Sequence, residues 1–81
     1  MITAYIIEAM SRANYKILED GTYFGEIPQL PGVWANEDTL EECRRVLQEV
    51  LEDWLILKLR ENEDIPSFGK IKLSTRKSVR L

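Results

Sequence analysis

The sequence predicts a small α+β domain, in which a short N-terminal helix, a three-stranded antiparallel sheet, a long helix packed on the sheet and a short final edge strand follow one another. Three observations predict it. Apolar residues recur at helical spacing near the start of the chain and again after residue 39. An Asp-Gly step joins two runs rich in aromatic and β-branched residues. A Thr-Leu-Glu-Glu stretch matches a helix cap. This order places a helical layer on one face of a small sheet.

The length of 81 residues allows one domain with one hydrophobic core. A domain of this size buries only about 60–65 % of the surface that its unfolded chain exposes, so disulfides, metals or a second subunit often support it. Cys43 is the only cysteine and histidine is absent, which excludes an internal disulfide and the common zinc sites. We therefore expect a homodimer or a higher homo-oligomer.

The charge is distributed unevenly along the chain. Residues 70–81 hold five basic residues and no acid, whereas the preceding residues hold all 14 acids and 6 basic residues, a formal charge of −8. We divide the chain into an α+β domain, residues 1–73, and a basic tail, residues 74–81. The acidic body should repel nucleic acid and attract a basic protein. The basic tail is either a solvated terminus or a contact to nucleic acid, and the sequence leaves both interpretations open.

Nothing in the sequence indicates a membrane protein. The first ten residues lack a basic leader and include Glu8 within the apolar stretch, which is not typical of a secretory signal. No apolar run approaches the roughly 20 residues that span a bilayer. We expect a cytoplasmic protein, and the unpaired Cys43 fits that compartment.

The first half of the chain changes from helical to strand periodicity. Residues 3–12 have apolar positions at helical spacing, with Thr3 as a candidate cap, although a strand through residues 4–7 is the alternative. Residues 14–18 and 22–27 predict two strands, and Asp20-Gly21 between them suits a tight hairpin turn. Residues 70–73 alternate charged and apolar side chains, which predicts the final edge strand.

A rigid loop separates the hairpin from the long helix. Pro28 ends the second strand, Pro31 fixes the backbone again, and Gly32 permits the turn into a third strand over residues 32–36. Thr39 then caps a helix that we expect to end near Asn62, and Glu42 completes a capping box. The apolar stripe that should face the sheet is formed by Leu40, Cys43, Val46, Leu47, Val50, Leu51, Trp54 and Leu55.

Candidate catalytic residues are scarce, and we expect neither an enzyme nor a metal or other cofactor. General-base chemistry without histidine needs a carboxylate, lysine or cysteine with a strongly shifted pKa. Cys43 lies on the apolar stripe, as a buried core residue would. The helix carboxylates have the spacing of a solvated face, and Glu26 is the only interior acid that we expect on the strands. A two-metal nuclease needs a cluster of such acids.

Two stretches together closely resemble the HicB family of antitoxins. They are Tyr23-Phe-Gly-Glu-Ile-Pro-Gln-Leu-Pro-Gly32 and Asp38-Thr-Leu-Glu-Glu-Cys43, and the resemblance extends over about residues 14–66. It implies a partial RNase H-like fold and an antitoxin that binds a small basic toxin of the HicA type, an mRNA interferase, and covers its active site. Gln29 departs from the aspartate common in the family. We expect a short form without the C-terminal DNA-binding domain that many members carry.

The loop and its flanking strands are the predicted toxin interface, because a loop fixed by prolines loses little entropy on binding and aromatic residues are enriched at interfaces. Trp34 itself has two interpretations, a cap on the core or a side chain at the contact surface. The candidates are Tyr23, Glu26, Pro28, Leu30, Pro31, Gly32 and Trp34. The alternative functions are a stand-alone nucleic-acid-binding or regulatory oligomer and, less favoured, a small RNase H-like nuclease.

Overall fold

A computed structural model describes residues 2–68, and the predicted final strand and basic tail lie outside these residues. Its elements are α1 (Ile2–Ser11), β1 (Asn14–Ile17), β2 (Tyr23–Glu26), β3 (Trp34–Glu37) and α2 (Leu40–Arg60). The strands form one antiparallel sheet in the order β1-β2-β3. The predicted α+β class is therefore confirmed. None of the helices within residues 2–68 has the length and apolar character needed to cross a bilayer.

The first element is a helix and not a strand. It begins at Ile2, so Thr3 is helical and does not cap it. Tyr5 and Ala9, one helical turn apart, are fully buried. The Tyr5 hydroxyl donates to the Pro66 carbonyl, and its ring packs at 5.1 Å between centroids on Phe68. These contacts attach α1 to the end of the described chain.

The predicted hairpin turn is confirmed. The Leu18 N–H donates to the Thr22 carbonyl at 2.8 Å, and the Gly21 N–H donates to the Leu18 carbonyl at 2.9 Å. Gly21 has φ +87°, a conformation that glycine adopts without steric cost. The Asp20 carboxylate accepts bonds from the Thr22 hydroxyl and N–H, at 2.6 and 3.0 Å, and these bonds lower the pKa of Asp20.

The long helix starts and ends as predicted, within two residues. Thr39 Oγ1 accepts the Glu42 N–H at 3.1 Å, whereas the Glu42 carboxylate pairs with Arg45 and does not turn back to the cap. Cys43, Leu47, Leu51 and Leu55 are buried in the core. The prediction for Leu40 was wrong: its side chain is 41 % exposed, because the first residue of α2 precedes the turns that lie over the sheet.

The sheet has two different faces. Tyr15, Gly25 and Ala35 are aligned across the three strands on the face that α2 covers, where the Cys43 thiol donates to the Ala35 carbonyl at 3.6 Å. The opposite face, which we call the open face, carries Lys16, Phe24, Glu26, Trp34 and Asn36. Glu26 is exposed there, so the prediction that it is an interior acid was wrong.

Candidate partner-binding surface

Two consecutive turns fix the loop between β2 and β3. The Leu30 N–H donates to the Ile27 carbonyl at 2.9 Å, and the Val33 N–H donates to the Leu30 carbonyl at 3.0 Å. Each turn has a proline at its second position, and Gly32 has φ +96° at the third position of the second turn, as a type II turn requires. The loop conformation is therefore set by the chain itself before any partner binds.

Buried side chains hold this loop from beneath. Ile27, Leu30 and Val33 are at most 1 % exposed and belong to the hydrophobic core. Pro28, Gln29, Pro31 and Gly32 are exposed. Among the predicted interface residues, Leu30 thus anchors the loop and offers no surface, whereas the two prolines and Gly32 are accessible to a partner.

An aromatic pair dominates the open face next to the loop. The rings of Phe24 and Trp34 stack with centroids 5.9 Å apart and an interplanar angle of 25°. Trp34 is nevertheless 54 % exposed, which decides between its two interpretations: it stands at the surface and does not cap the core. The Lys16 ammonium lies 5.6 Å from the centroid of the Phe24 ring. Most of the indole remains accessible to a partner.

The predicted residues separate onto two faces. Glu26 is directly opposite Trp34 in the β2–β3 register, so these two share the open face. Tyr23 is opposite Glu37 and is half-buried against the core on the covered side. Tyr23 therefore does not join Glu26 and Trp34 on the open face.

Sequence reasoning missed Phe24 and Lys16 as members of this surface. The alternation of side chains along each strand could have predicted them, because side chains two residues apart lie on the same face of the sheet. Gly25 and Ala35 are small residues that allow a helix to pack closely, so their neighbours Phe24, Glu26, Trp34 and Asn36 must face the other way. Lys16 then follows from its pairing with Phe24.

The open face carries the acid Glu26 and, on β1, the base Lys16. Glu26 forms no ion pair with another residue in the range 2–68, whereas Arg12, Arg45 and Lys58 each pair with a glutamate. Asp38, just beyond β3, is also exposed, whereas Glu37 shares the covered side with Tyr23. A basic partner would therefore meet acids that are not already neutralised by ion pairs in the described fold.

The cysteine and the acids of the described residues do not gather at one point, and the cysteine is buried. Burial raises the pKa of the Cys43 thiol, with a further contribution from the negative charge of Glu37, so the thiol is a poor nucleophile near neutral pH. Between residues 2 and 68 no group of three or more Cys, Asp or Glu side chains is placed to hold a metal ion. The arrangement offers a contact surface: an exposed indole, an acid and a fixed loop.

Comparison with known proteins gives a family and a related structure. The profile described as UPF0150-like matches residues 4–66, which include α1, the sheet, the proline loop and α2. A crystal structure of TTHA0281 from Thermus thermophilus resembles this fold with a TM-score of 0.86. The two sequences are 46 % identical, and the match covers 90 % of this chain and 91 % of that one. No curated protein matches the sequence.

Proposed function

The chain belongs to the UPF0150-like family, and we propose that it is an antitoxin of the HicB type that binds and neutralises a small basic HicA-type mRNA interferase. The family is related to HicB-type antitoxins. The loop and helix start that resemble the HicB signature, residues 23–43, lie within the matched region. The same resemblance implies a partial RNase H-like scaffold, and the antiparallel β1-β2-β3 order with a long helix on one face supports that part of the proposal.

The observation that carries the proposal is the surface around Trp34. An exposed indole, stacked on one side and accessible on the other, is a typical anchor of a protein interface. Glu26 beside it and the formal charge of −8 before residue 70 complement a basic partner. The loop of Pro28 and Pro31 is already ordered, which reduces the entropy lost on binding.

The proposal is tested by searching the genes beside this one for a small basic protein and co-expressing that protein with this chain. We expect that protein alone to arrest growth of a bacterial host, and co-expression of this chain to restore growth and yield a stable complex on purification. A matched pair of variants, Glu26→Lys and Glu49→Lys, makes the same charge change on the open face and on the exposed side of α2. Only Glu26→Lys should weaken rescue. A neighbouring basic protein that does not bind this chain would contradict the proposal.

We also propose that the protein is a homodimer or higher homo-oligomer in a cytoplasmic setting. Ile2 and Ile56 line a shallow cleft between α1 and α2, and they are 46 % and 54 % exposed. Ile7 on α1 is 65 % exposed. Subunit interfaces of homodimers are rich in apolar side chains of this kind. Light scattering after size-exclusion chromatography should give at least twice the monomer mass, and Ile7→Glu with Ile56→Glu should shift it towards the monomer. A monomeric mass at micromolar concentration would count against self-association.

We further propose that the protein has no nuclease activity of its own. Glu26 projects from the open face of the sheet, on the side away from the acids of α2. A two-metal site needs several acids directed at one point. We expect purified protein with Mg²⁺ or Mn²⁺ to leave RNA and an RNA–DNA hybrid intact. Cleavage that is abolished by Glu26→Gln would overturn this expectation.

A further inference from the structure

The outer edge of β3 has hydrogen-bonding groups that no residue between 2 and 68 uses. The Ile27 N–H donates to the Val33 carbonyl at 3.2 Å, which places Val33 among the positions that bond to β2. Antiparallel strands alternate between bonded and non-bonded positions, so Ala35 and Glu37 also face β2. Trp34 and Asn36 therefore direct their backbone N–H and C=O groups away from the sheet. Within residues 2–68 no backbone group bonds to them.

The rest of the described fold leaves this edge accessible. Helix α2 packs on the face of the sheet, where Cys43 contacts Ala35, and Trp34 and Asn36, whose backbone groups are directed outwards, are exposed. The last described residue, Phe68, lies under the Arg12 guanidinium at 5.0 Å and against Tyr5. Arg12 lies two residues before β1, the strand at the other edge of the sheet, so the described chain ends on that side.

The edge is chemically suited to a basic, extended segment. Proteins commonly protect an edge strand with lysine or proline, and β3, Trp34–Glu37, has neither. The exposed acid Asp38 instead follows its end. The Asn36 side chain donates to the Thr22 hydroxyl and to the Tyr23 carbonyl, both at 2.9 Å, and these bonds hold the strand in an extended form.

We propose that β3 binds its partner by strand addition: an extended basic segment of the partner pairs with the outer backbone groups of Trp34 and Asn36 and lays a side chain on the indole. Main-chain hydrogen bonds supply affinity in this mode, and side-chain pockets supply specificity. The inference deepens the proposed function and rests on it, since the partner is the toxin. The partner would thus contact the backbone at the edge of the sheet, a site that cannot be recognised from the types of residue in the sequence.

Two substitutions at one position test the strand pairing. Asn36→Pro removes the outward N–H and is compatible with an edge strand, because the inward bonds of β3 belong to its neighbours. Asn36→Ala removes the same side-chain bonds and keeps the N–H. Both are titrated against a purified small basic protein of the HicA type, after their melting temperatures have been compared. We expect Asn36→Pro to weaken binding about tenfold or more relative to Asn36→Ala, since one hydrogen bond is lost and its acceptor stays unpaired.

Amide hydrogen exchange gives an independent readout. The Trp34 and Asn36 amides should exchange rapidly in the protein alone and become protected in the complex. Equal affinities of the two variants, with no protection in the complex, would overturn the strand pairing and leave the proposed function standing. Absence of any complex would overturn both. Protection that appears without the basic protein and grows with the concentration of this chain would assign the edge to a second copy, and so contradict the proposal.

Discussion

The two faces of the sheet differ in the size of the side chains at their centre, and the larger side chains lie on the open face. The covered face has Gly25 and Ala35 at its centre, whereas the open face has the larger Phe24 and Trp34. Small residues on the covered face let α2 approach until the Cys43 sulfur lies 3.1 Å from the position of a Cβ on Gly25. The close packing of α2 therefore restricts the centre of the covered face to small side chains. The open face is not constrained in this way, and its aromatic residues are available for a partner.

The largest effect should come from a charge placed under α2. Leu47 is fully buried, so Leu47→Asp introduces an unpaired charge into the core. The expected cost is several kcal/mol, on the order of the whole stability of a small domain. Leu47→Asp should therefore be unfolded by circular dichroism and show no cooperative thermal transition.

Leu40→Asp is the matched control on the same helix. Leu40 is exposed and lies in the first turn of α2, where an acid interacts favourably with the helix dipole. The melting temperature should change little, because the free energy of unfolding should shift by less than about 1 kcal/mol. Glu49→Gln should be equally mild. A cooperatively folded Leu47→Asp variant would mean that the covered face is assigned to the wrong side of α2.

The second-largest effect should be a decrease in the free energy of unfolding at high pH. Burial raises the pKa of Tyr5 to about 12 from its ordinary 10.0. The unfolded chain therefore ionises at lower pH than the folded chain, and the stabilisation from the protonated phenol is complete below pH 10 and lost between pH 10 and about 12. The shift corresponds to about 2–3 kcal/mol. About half of this stabilisation should be lost by pH 11, and urea unfolding at pH 9 and at pH 11 measures that loss.

Tyr5→Phe separates this titration from other alkaline effects. The variant loses the hydrogen bond to the Pro66 carbonyl and should be less stable than the parent at pH 7 by about 1 kcal/mol. The free energy of unfolding of Tyr5→Phe should decline less steeply above pH 10. Cys43 is present in both proteins, so its ionisation does not explain a difference between their pH profiles. Parallel pH profiles for the two proteins would show that Tyr5 is not the responsible group.

A smaller effect is expected when a methyl group is added at the centre of the covered face. A Cβ on Gly25 would lie 2.7 Å from the Tyr15 ring, so Gly25→Ala forces that half-buried ring to move. We expect a loss of about 1–2 kcal/mol. Adding Tyr15→Leu should reduce the loss, and the double-mutant cycle on thermal unfolding measures this coupling. Additive effects would indicate that the ring does not limit the approach of α2.

Local signals in the sequence were sufficient to predict the described elements. Asp20-Gly21 predicts the hairpin and Thr39 predicts the start of α2, because a turn and a cap depend on residues that are close in the chain. The burial of Leu30 was not predicted, since a loop has no periodicity that reports which side chain points inwards. The exposure of Leu40 depends on where the sheet ends beneath α2, which is a tertiary property. Of the predicted interface, Glu26 and Trp34 share the open face, and Pro28, Pro31 and Gly32 are exposed. Tyr23 lies on the covered side and Leu30 is buried.

The smallest effect on stability is expected on the open face. A substitution there also tests whether this face binds a partner and contributes little to folding. Trp34→Ala removes a half-exposed ring whose aromatic contact is the stack on Phe24, so unfolding should become easier by no more than about 1 kcal/mol. Binding to the proposed basic partner should weaken at least about tenfold, because an exposed indole that a partner covers is a typical interface hot spot.

The matched control for Trp34→Ala is Trp54→Ala, which removes the same side chain from α2. Trp54 is half-buried against the core, so its loss should lower the melting temperature more and leave the affinity of the folded protein unchanged. The two variants should thus have opposite profiles, one losing binding and the other losing stability. If Trp34→Ala instead melts far below the parent and binds as well as the parent, the open face contributes to folding, and the aromatic pair must be explained by packing alone.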